Sequence, residues 1–334
     1  MSTSDPVILI LGERCDPHIR KVCGHLDKMG ARHSVVDPFE TVLLPALAHP
    51  KSSADRYTAI WDRLKPIAAP KSNRGQYILR ERVAAVRSLQ LLHGQARLMN
   101  PPSATETARS KLFQLSIARQ AGLDTPKTYV SNDAKAVRNF VASCDKGAVA
   151  KSLTWFFDSA GKFTFTNVIT PGTLGSKAAL ACCPMIYQEY ILKRYELRVT
   201  CVGRKIYAAR ILSQRNAITV VDWRRDQFNL DYEATTLPTG LERKITCVLK
   251  ALGLHFGAFD FVVTPEGRCV FLEVNSSGNW LWLENQLPLP ISRAVAEWLF
   301  AHGRAEKREV HNLASTLRSC GTQGRKRSIT WTQS

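Results

Sequence analysis

Asp260, Glu273 and Asn275 are the residues of this chain whose types and spacing point first to chemistry. Glu273 and Asn275 lie two apart at the end of the run VFLEVN, residues 270–275. Successive strand residues face opposite ways, so these two share a face while Leu272 and Val274 take the other. The turn-forming stretch Thr264-Pro-Glu-Gly267 joins Phe259–Val263 to Arg268–Val274, which makes the pair a β-hairpin and sets Asp260 opposite or diagonal to Glu273. Three oxygen ligands then converge without His or Cys. Such a set suits Mg²⁺, with Mn²⁺ as a substitute, rather than zinc, and Mg²⁺ is usually shared with nucleotide phosphates. A carboxylate inside an apolar run is expensive without a cation to meet, which argues against a chance strand end.

Two lysines could face those phosphates. Lys151 sits at the edge of the apolar strand Ala148–Ala150, and Lys111 lies on a helix after the break at Asn100-Pro-Pro. Ile186-Tyr-Gln188-Glu189-Tyr190-Ile191 reads as a strand with Glu189 embedded, whose backbone and carboxylate suit an adenine edge or a ribose. Glu196 and Arg198 share a strand face by the same two-residue spacing, and Arg210 ends the apolar stretch Ile206–Ala209.

The elements that must position these groups alternate in type. Val7–Leu11 is a strand, Asp16–Gly30 a helix and His33–Val36 a second strand, so the chain opens with a βαβ unit and a small parallel sheet. The periodicity predicts helices over Arg80–Gly94 and Thr105–Gly122, the latter with Ala108, Leu112, Leu115 and Ala118 on one stripe. Strands follow at Ala148–Leu153, Thr164–Ile169, Met185–Ile191, Glu196–Val202 and Lys205–Leu212, and an amphipathic helix at Ile291–His302. No internal repeat is visible.

Composition sets the outer bounds. At 334 residues the chain suits two or three packed subdomains, and its 45% apolar and 22% charged residues are ordinary for a globular protein. No apolar run approaches the length of a membrane span, and MSTSDP does not read as a secretory signal. Nine cysteines without a CxxC pair argue for reduced thiols and a cytoplasmic setting; Cys15-Asp-Pro-His18 offers half a metal site with no second half. The 46 Lys plus Arg against 28 Asp plus Glu leave a net charge of +18, which raises the local concentration of anionic partners. Residues 304–334 carry seven basic against two acidic residues and read as a solvated tail.

The order Lys111, Lys151, Gln188-Glu189-Tyr190-Ile191, Glu196-x-Arg198, Arg210, Asp260, Glu273-x-Asn275 resembles an ATP-grasp ligase. Residues 95–302, including RYELRVTCVGRKIYAARILSQ, Asp222-Trp-Arg224 and GAFDFVVTPEGRCVFLEVNSSGNWLWLE, resemble the microviridin-type (graspetide) peptide ligases. Ala59-Ile-Trp61-Asp-Arg63-Leu-Lys-Pro66 is only loosely similar to a Trp-x-Arg-Arg-Pro segment of that family. The resemblance implies an α+β fold in which two subdomains grip ATP, here 101–185 and 186–305, behind an N-terminal α/β domain over 1–100 that recognises the partner and before a flexible tail over 306–334. It implies ATP held by Lys111, Lys151, residues 188–191 and Glu196, and two Mg²⁺ ions on Asp260, Glu273 and Asn275. Arg198 and Arg210 would act in catalysis, clamping the acceptor carboxylate or leaving phosphate through guanidinium forks.

The implied reaction makes an acyl phosphate on a peptide carboxylate, which a hydroxyl or amine attacks to give an ω-ester or ω-amide. Gly278–Trp282 could wall that intermediate from water. An acidic precursor peptide is the implied partner, with a homodimer left open and no membrane. Two other readings compete: an ATP-grasp enzyme of another substrate, adding an amino acid to a protein or small molecule or phosphorylating a polyol, and a basic nucleic-acid-binding protein. The last gives no reason for three converging oxygen ligands.

Overall fold

The structure is a computed structural model that describes residues 7–37, 40, 57–65, 70, 72–93, 96–154 and 165–303. The tail expected over 306–334 lies outside the described residues. The opening βαβ unit forms as expected. β1 (Val7–Leu11) pairs in parallel with β2 (Arg32–Val36) across α1 (Pro17–Lys28), whose N-terminus Asp16 caps by accepting the His18 N–H. β3 (Ala59–Asp62), too short for its apolar run to announce, pairs in parallel on the other side of β1. α2 (Asn73–Leu92) starts a full two turns before the expected Arg80, because Ser72 supplies an N-cap that the apolar pattern does not register. β4 (Arg97–Leu98) completes the sheet in the order β2-β1-β3-β4.

The expected helix over Thr105–Gly122 is two helices, α3 (Pro102–Ala108) and α4 (Lys111–Gln120). Ser110 caps α4 and restarts the helix phase. Leu112 therefore turns outward, 39% exposed, and Gln114 takes a place on the buried stripe with Leu115 and Ala118.

A four-stranded antiparallel sheet follows. It consists of β5 (Thr128–Ser131), β6 (Ala148–Lys151), β7 (Val168–Ile169) and β8 (Met185–Glu189) in the order β5-β8-β6-β7. Helices α5 (Ala134–Ala142) and α6 (Lys177–Ala181) cover it through Val137, Val141 and Leu180, packed on Ala148 and Tyr187.

The largest sheet holds β9 (Tyr195–Val202), β10 (Lys205–Ile211), β11 (Tyr232–Thr235), β12 (Phe256–Val263) and β13 (Cys269–Asn275), in the order β11-β10-β9-β12-β13. One face is apolar: Leu197, Val199, Phe259, Phe261, Phe271 and Val274 pack against Leu115 and Ala118 of α4 and against Ile245 and Val248 of α7 (Leu241–Ala251). The other face carries the polar residues of interest. The β12–β13 register pairs Asp260 with Glu273 but Phe261 with Phe271, leaving Leu272 as one extra residue on β13.

α8 (Leu281–Glu284) and α9 (Ile291–Gly303) carry the chain back to the first sheet. Trp280, Val295 and Leu299 complete one core with Ile8, Ile10 and Trp61, while Val86 and Leu89 of α2 close the opposite face. No helix of the described residues is long and apolar enough to cross a membrane.

Candidate active site

The hairpin does what strand alternation requires. Asp260 stands opposite Glu273, and Asn275 follows on the same face opposite Ala258. The Asn275 side-chain amide donates to Asp260 Oδ2 at 3.1 Å and to Glu273 Oε1 at 3.4 Å, so the three side chains converge. Burial pushes the Asp260 carboxyl above its usual range, with Arg198 opposing and Glu273 reinforcing the rise. Burial also works against the charged form of Glu273, yet Lys151, Lys111 and Arg224 outweigh it and hold that carboxyl below its usual range. Two adjacent carboxylates with opposite shifts mark a site built around charge.

Four cations surround the pair. Arg198 sits on β9 directly opposite Asp260, its Nη1 lying 2.8 and 2.7 Å from the two carboxylate oxygens. Lys111, the first residue of α4, donates to the Ser152 carbonyl at 2.9 Å, just beyond Lys151 at the end of β6. The two lysines thus arrive from different elements and both bear on Glu273. Burial drives the Lys151 ammonium down, and Glu273 opposes that shift. Arg224 is the fourth. Asp222 grips it by two bonds, Nε to Oδ1 at 2.8 Å and Nη2 to Oδ2 at 2.6 Å, while also accepting the Thr166 N–H at 2.9 Å. Sequence reasoning gave Arg224 no role; the signal was the Asp-x-Arg spacing, which lets one carboxylate cap a turn and aim a guanidinium.

Other expected site residues are placed differently. Arg210 lies on the opposite face of the sheet: Ala209 is the residue paired with Arg198, and Arg210 pairs with the core residue Leu197. Its guanidinium stacks 5.0 Å from the Tyr195 ring and stands 3.8 Å from Glu233, away from Asp260 and Glu273. Glu196 does share the face of Arg198, but it is buried and engaged by Lys193 at 2.5 Å and by the Ser213 hydroxyl. It fastens the loop after β10 instead of presenting a ribose acceptor. Gln188 is buried and bonds Thr128, and Glu189 accepts the Lys127 N–H. What residues 188–191 offer a base is backbone: among the described residues the Ile191 N–H meets no acceptor. In the Gly278–Trp282 stretch, Trp280 is core, 1% exposed, whereas the Trp282 ring lies tilted 4.8 Å from Trp223 and edge-to-face 5.0 Å from Tyr232. Asp16 and His18 of the half metal motif face Arg63 and the Trp280 amide, with no Cys among them.

Two amide side chains brace β13. β13 is an edge strand, and the Gln114 side chain occupies its free edge, accepting the Val274 N–H at 2.8 Å and donating to the Val274 carbonyl at 2.9 Å. Val274 lies between Glu273 and Asn275. Asn100 bonds the Ser276 carbonyl at 2.8 Å and the backbone of His255 and Phe256. Gly278 follows where no side chain fits: a Cβ there would lie 2.5 Å from Ala258 Cβ and 2.8 Å from Arg198 Nη2.

No family model matches the chain, and the comparison with curated proteins finds no match. Solved structures are similar to it. The macrocyclase MdnC from Microcystis aeruginosa MRC, bound with precursor peptide MdnA, is 30% identical with a TM-score of 0.76, covering 88% of this chain and 99% of that one. A RiPP-associated ATP-grasp ligase from Chryseobacterium gregarium, in complex with ADP and a leader and core peptide, is 28% identical with a TM-score of 0.74, covering 88% and 96%. The ATP-grasp ligase PsnB, complexed with a phosphomimetic variant of minimal precursor, Mg and ADP, shares the fold at 24% identity and a TM-score of 0.70, covering 89% and 99%.

Proposed function

The chain belongs to the ATP-grasp ligases that act on ribosomally made precursor peptides, and from that membership we propose that it uses ATP and Mg²⁺ to crosslink the side chains of such a peptide. A side-chain carboxylate of the peptide attacks the γ-phosphorus of ATP, the bond to ADP breaks, and an acyl phosphate results. A hydroxyl or amine of the same peptide then attacks the acyl carbon and inorganic phosphate leaves, closing an ω-ester or ω-amide ring. The observation that carries this reading is the convergence of Asp260, Glu273 and Asn275 with lysines from the facing elements.

The donor set fits the metal. Asp260, Glu273 and Asn275 would hold Mg²⁺ through hard oxygens, and the bound ions supply charge neutralisation at the β- and γ-phosphates. Lys111 and Lys151 bind the remaining phosphate oxygens, and the Glu189–Ile191 backbone receives the base. Arg198 orients Asp260, to which it is already bonded. Arg224, fixed by Asp222, is placed to hold the acceptor carboxylate or the charge that develops on it. The surplus of basic residues suits an acidic peptide, and an ATP-consuming enzyme whose substrate is newly translated places the reaction in the cytoplasm.

The test is ADP release with Mg²⁺ and an acidic, Thr- or Lys-containing peptide, with mass spectrometry following the loss of one water per crosslink. Asp260→Asn and Glu273→Gln should each abolish both signals with the circular dichroism spectrum unchanged, because each removes a ligand charge at constant volume. Normal turnover in either variant removes this cluster from the chemistry.

A further inference from the structure

We infer that Arg63, contributed by the N-terminal sheet, is a positioning residue for the metal-binding end of β13, holding the turn after Asn275 in place and through it Arg198 and Asp260. The inference rests on the reading of Asp260, Glu273 and Asn275 as the metal site. Arg63 follows β3 and is 2% exposed, among the largest fully buried side chains of the described residues. Its Nη1 donates to the carbonyls of Ser277 at 2.6 Å and Gly278 at 3.3 Å, and its Nη2 donates to Asn279 Oδ1 at 2.5 Å. The guanidinium carbon lies 5.1 Å over the Trp280 ring. One side chain thus engages four consecutive residues.

The turn it holds is continuous with the ligands. The Gly278 N–H donates to the carbonyl of Asn275 at 3.3 Å. The Asn279 carbonyl accepts from Arg198 Nη2 at 3.2 Å, and the other arm of Arg198 grips Asp260. Arg63, Asn279, Arg198 and Asp260 therefore form a chain from the N-terminal domain to a metal ligand. Its far end is anchored as well. Asp16 stands 3.4 Å from Arg63 Nε and 3.0 Å from Lys65, and it accepts from or bonds His18 Nδ1 at 2.9 Å. His18 Nε2 in turn accepts the Trp280 N–H at 3.2 Å. A planar fork can serve Asn279 and two carbonyls at once; an ammonium at the end of a lysine cannot reproduce that geometry.

The experiment uses the full chain and variants Arg63→Lys and Asn279→Ala. Free Mn²⁺ is counted by electron paramagnetic resonance in the presence of ADP, and amide hydrogen exchange of residues 276–281 is measured without nucleotide. Arg63→Lys keeps a charge beside Asp16, so a role limited to neutralising that carboxylate leaves both readouts at parental values, and that result overturns the inference. A positioning role predicts Mn²⁺ binding weakened about 10–100-fold and faster exchange across the turn. Should Arg63→Lys fail to fold, Asn279→Ala alone decides: Asn279 is exposed, its loss removes the Nη2 acceptor, and unchanged Mn²⁺ binding overturns the inference. Asp260→Asn serves as the separate control. If it binds Mn²⁺ normally, the metal-site reading itself fails, whatever Arg63 does.

Discussion

Replacing Gln114 by leucine should destabilise the protein and disturb the proposed metal site together. Gln114 is 4% exposed and bonds three backbone groups: the N–H and carbonyl of Val274 and, at 2.5 Å, the carbonyl of Ala108. Leucine has similar volume but leaves those groups without a partner. A buried polar group stripped of its bond costs roughly 1–3 kcal/mol, and leucine's apolar burial offsets part of the total. A net loss of about 2–4 kcal/mol follows, which for 334 residues corresponds to a fall of roughly 3–6 °C in Tm. Because Val274 lies between Glu273 and Asn275, the Mg²⁺ concentration for half-maximal ADP release should rise in the same variant.

Gln114→Glu sharpens the test. A protonated glutamic acid accepts the Val274 N–H and donates one O–H, whereas the carboxylate faces two carbonyl oxygens. Its folded-state pKa is therefore raised, so its stability is present at low pH and lost as pH rises through that value. Urea melts should find this variant closer to the parent at about pH 5 than at about pH 8. A leucine variant that loses less than about 0.5 kcal/mol, the range of ordinary surface changes, refutes the clamp.

Arg210→Ala should leave turnover near the parental rate and cost under about 1 kcal/mol, since its pairing with Glu233 at 3.8 Å is solvent-exposed; a steady-state assay in which kcat collapses would return Arg210 to the site. Asp222→Asn should lower kcat with the KM for ATP unchanged, because it releases Arg224 without touching the lysines. Steady-state kinetics decide between that result and a shift in KM alone, which would make Asp222 part of the nucleotide site.

The convergence of Asp260, Glu273 and Asn275 was legible because it depends on local rules. A period of two along 270–275 and a short turn fix which residues of one hairpin meet, and Asp260, Glu273 and Asn275 met as those rules demand. Lys111 and Lys151 carried no such local signal; only the tertiary bond from Lys111 to the Ser152 carbonyl brings them together, and the family resemblance supplied what periodicity did not. Arg210 was misread although its placement was readable. The two-residue turn Gly203–Arg204 pairs Val202 with Lys205, and that register sets Ala209, not Arg210, opposite Arg198. Gln114 was hidden for a different reason: one serine restarted the helix and rotated its buried stripe, so a polar residue entered the core where leucine was expected. Arg63 was hidden because its partners lie more than two hundred positions away, a separation that no window along the chain spans.

The extra residue Leu272 in the register of β13 has a consequence for which lengths of chain this hairpin accepts. If Leu272 were paired and the ladder set by Phe261 and Phe271 ran on without the slip, Leu272 would stand opposite Asp260 and Glu273 would turn toward the apolar side. The slip is thus a half-step of phase, inserted once, that lets a phenylalanine and a carboxylate two residues apart look in opposite directions. Insertions between Thr264 and Gly267 only lengthen a surface loop, and the ligands stay where they are. A deletion of Leu272 sets Glu273 directly after Phe271 in a regular ladder, still opposite Asp260, so the hairpin tolerates the loss of this residue but not the loss of a paired one.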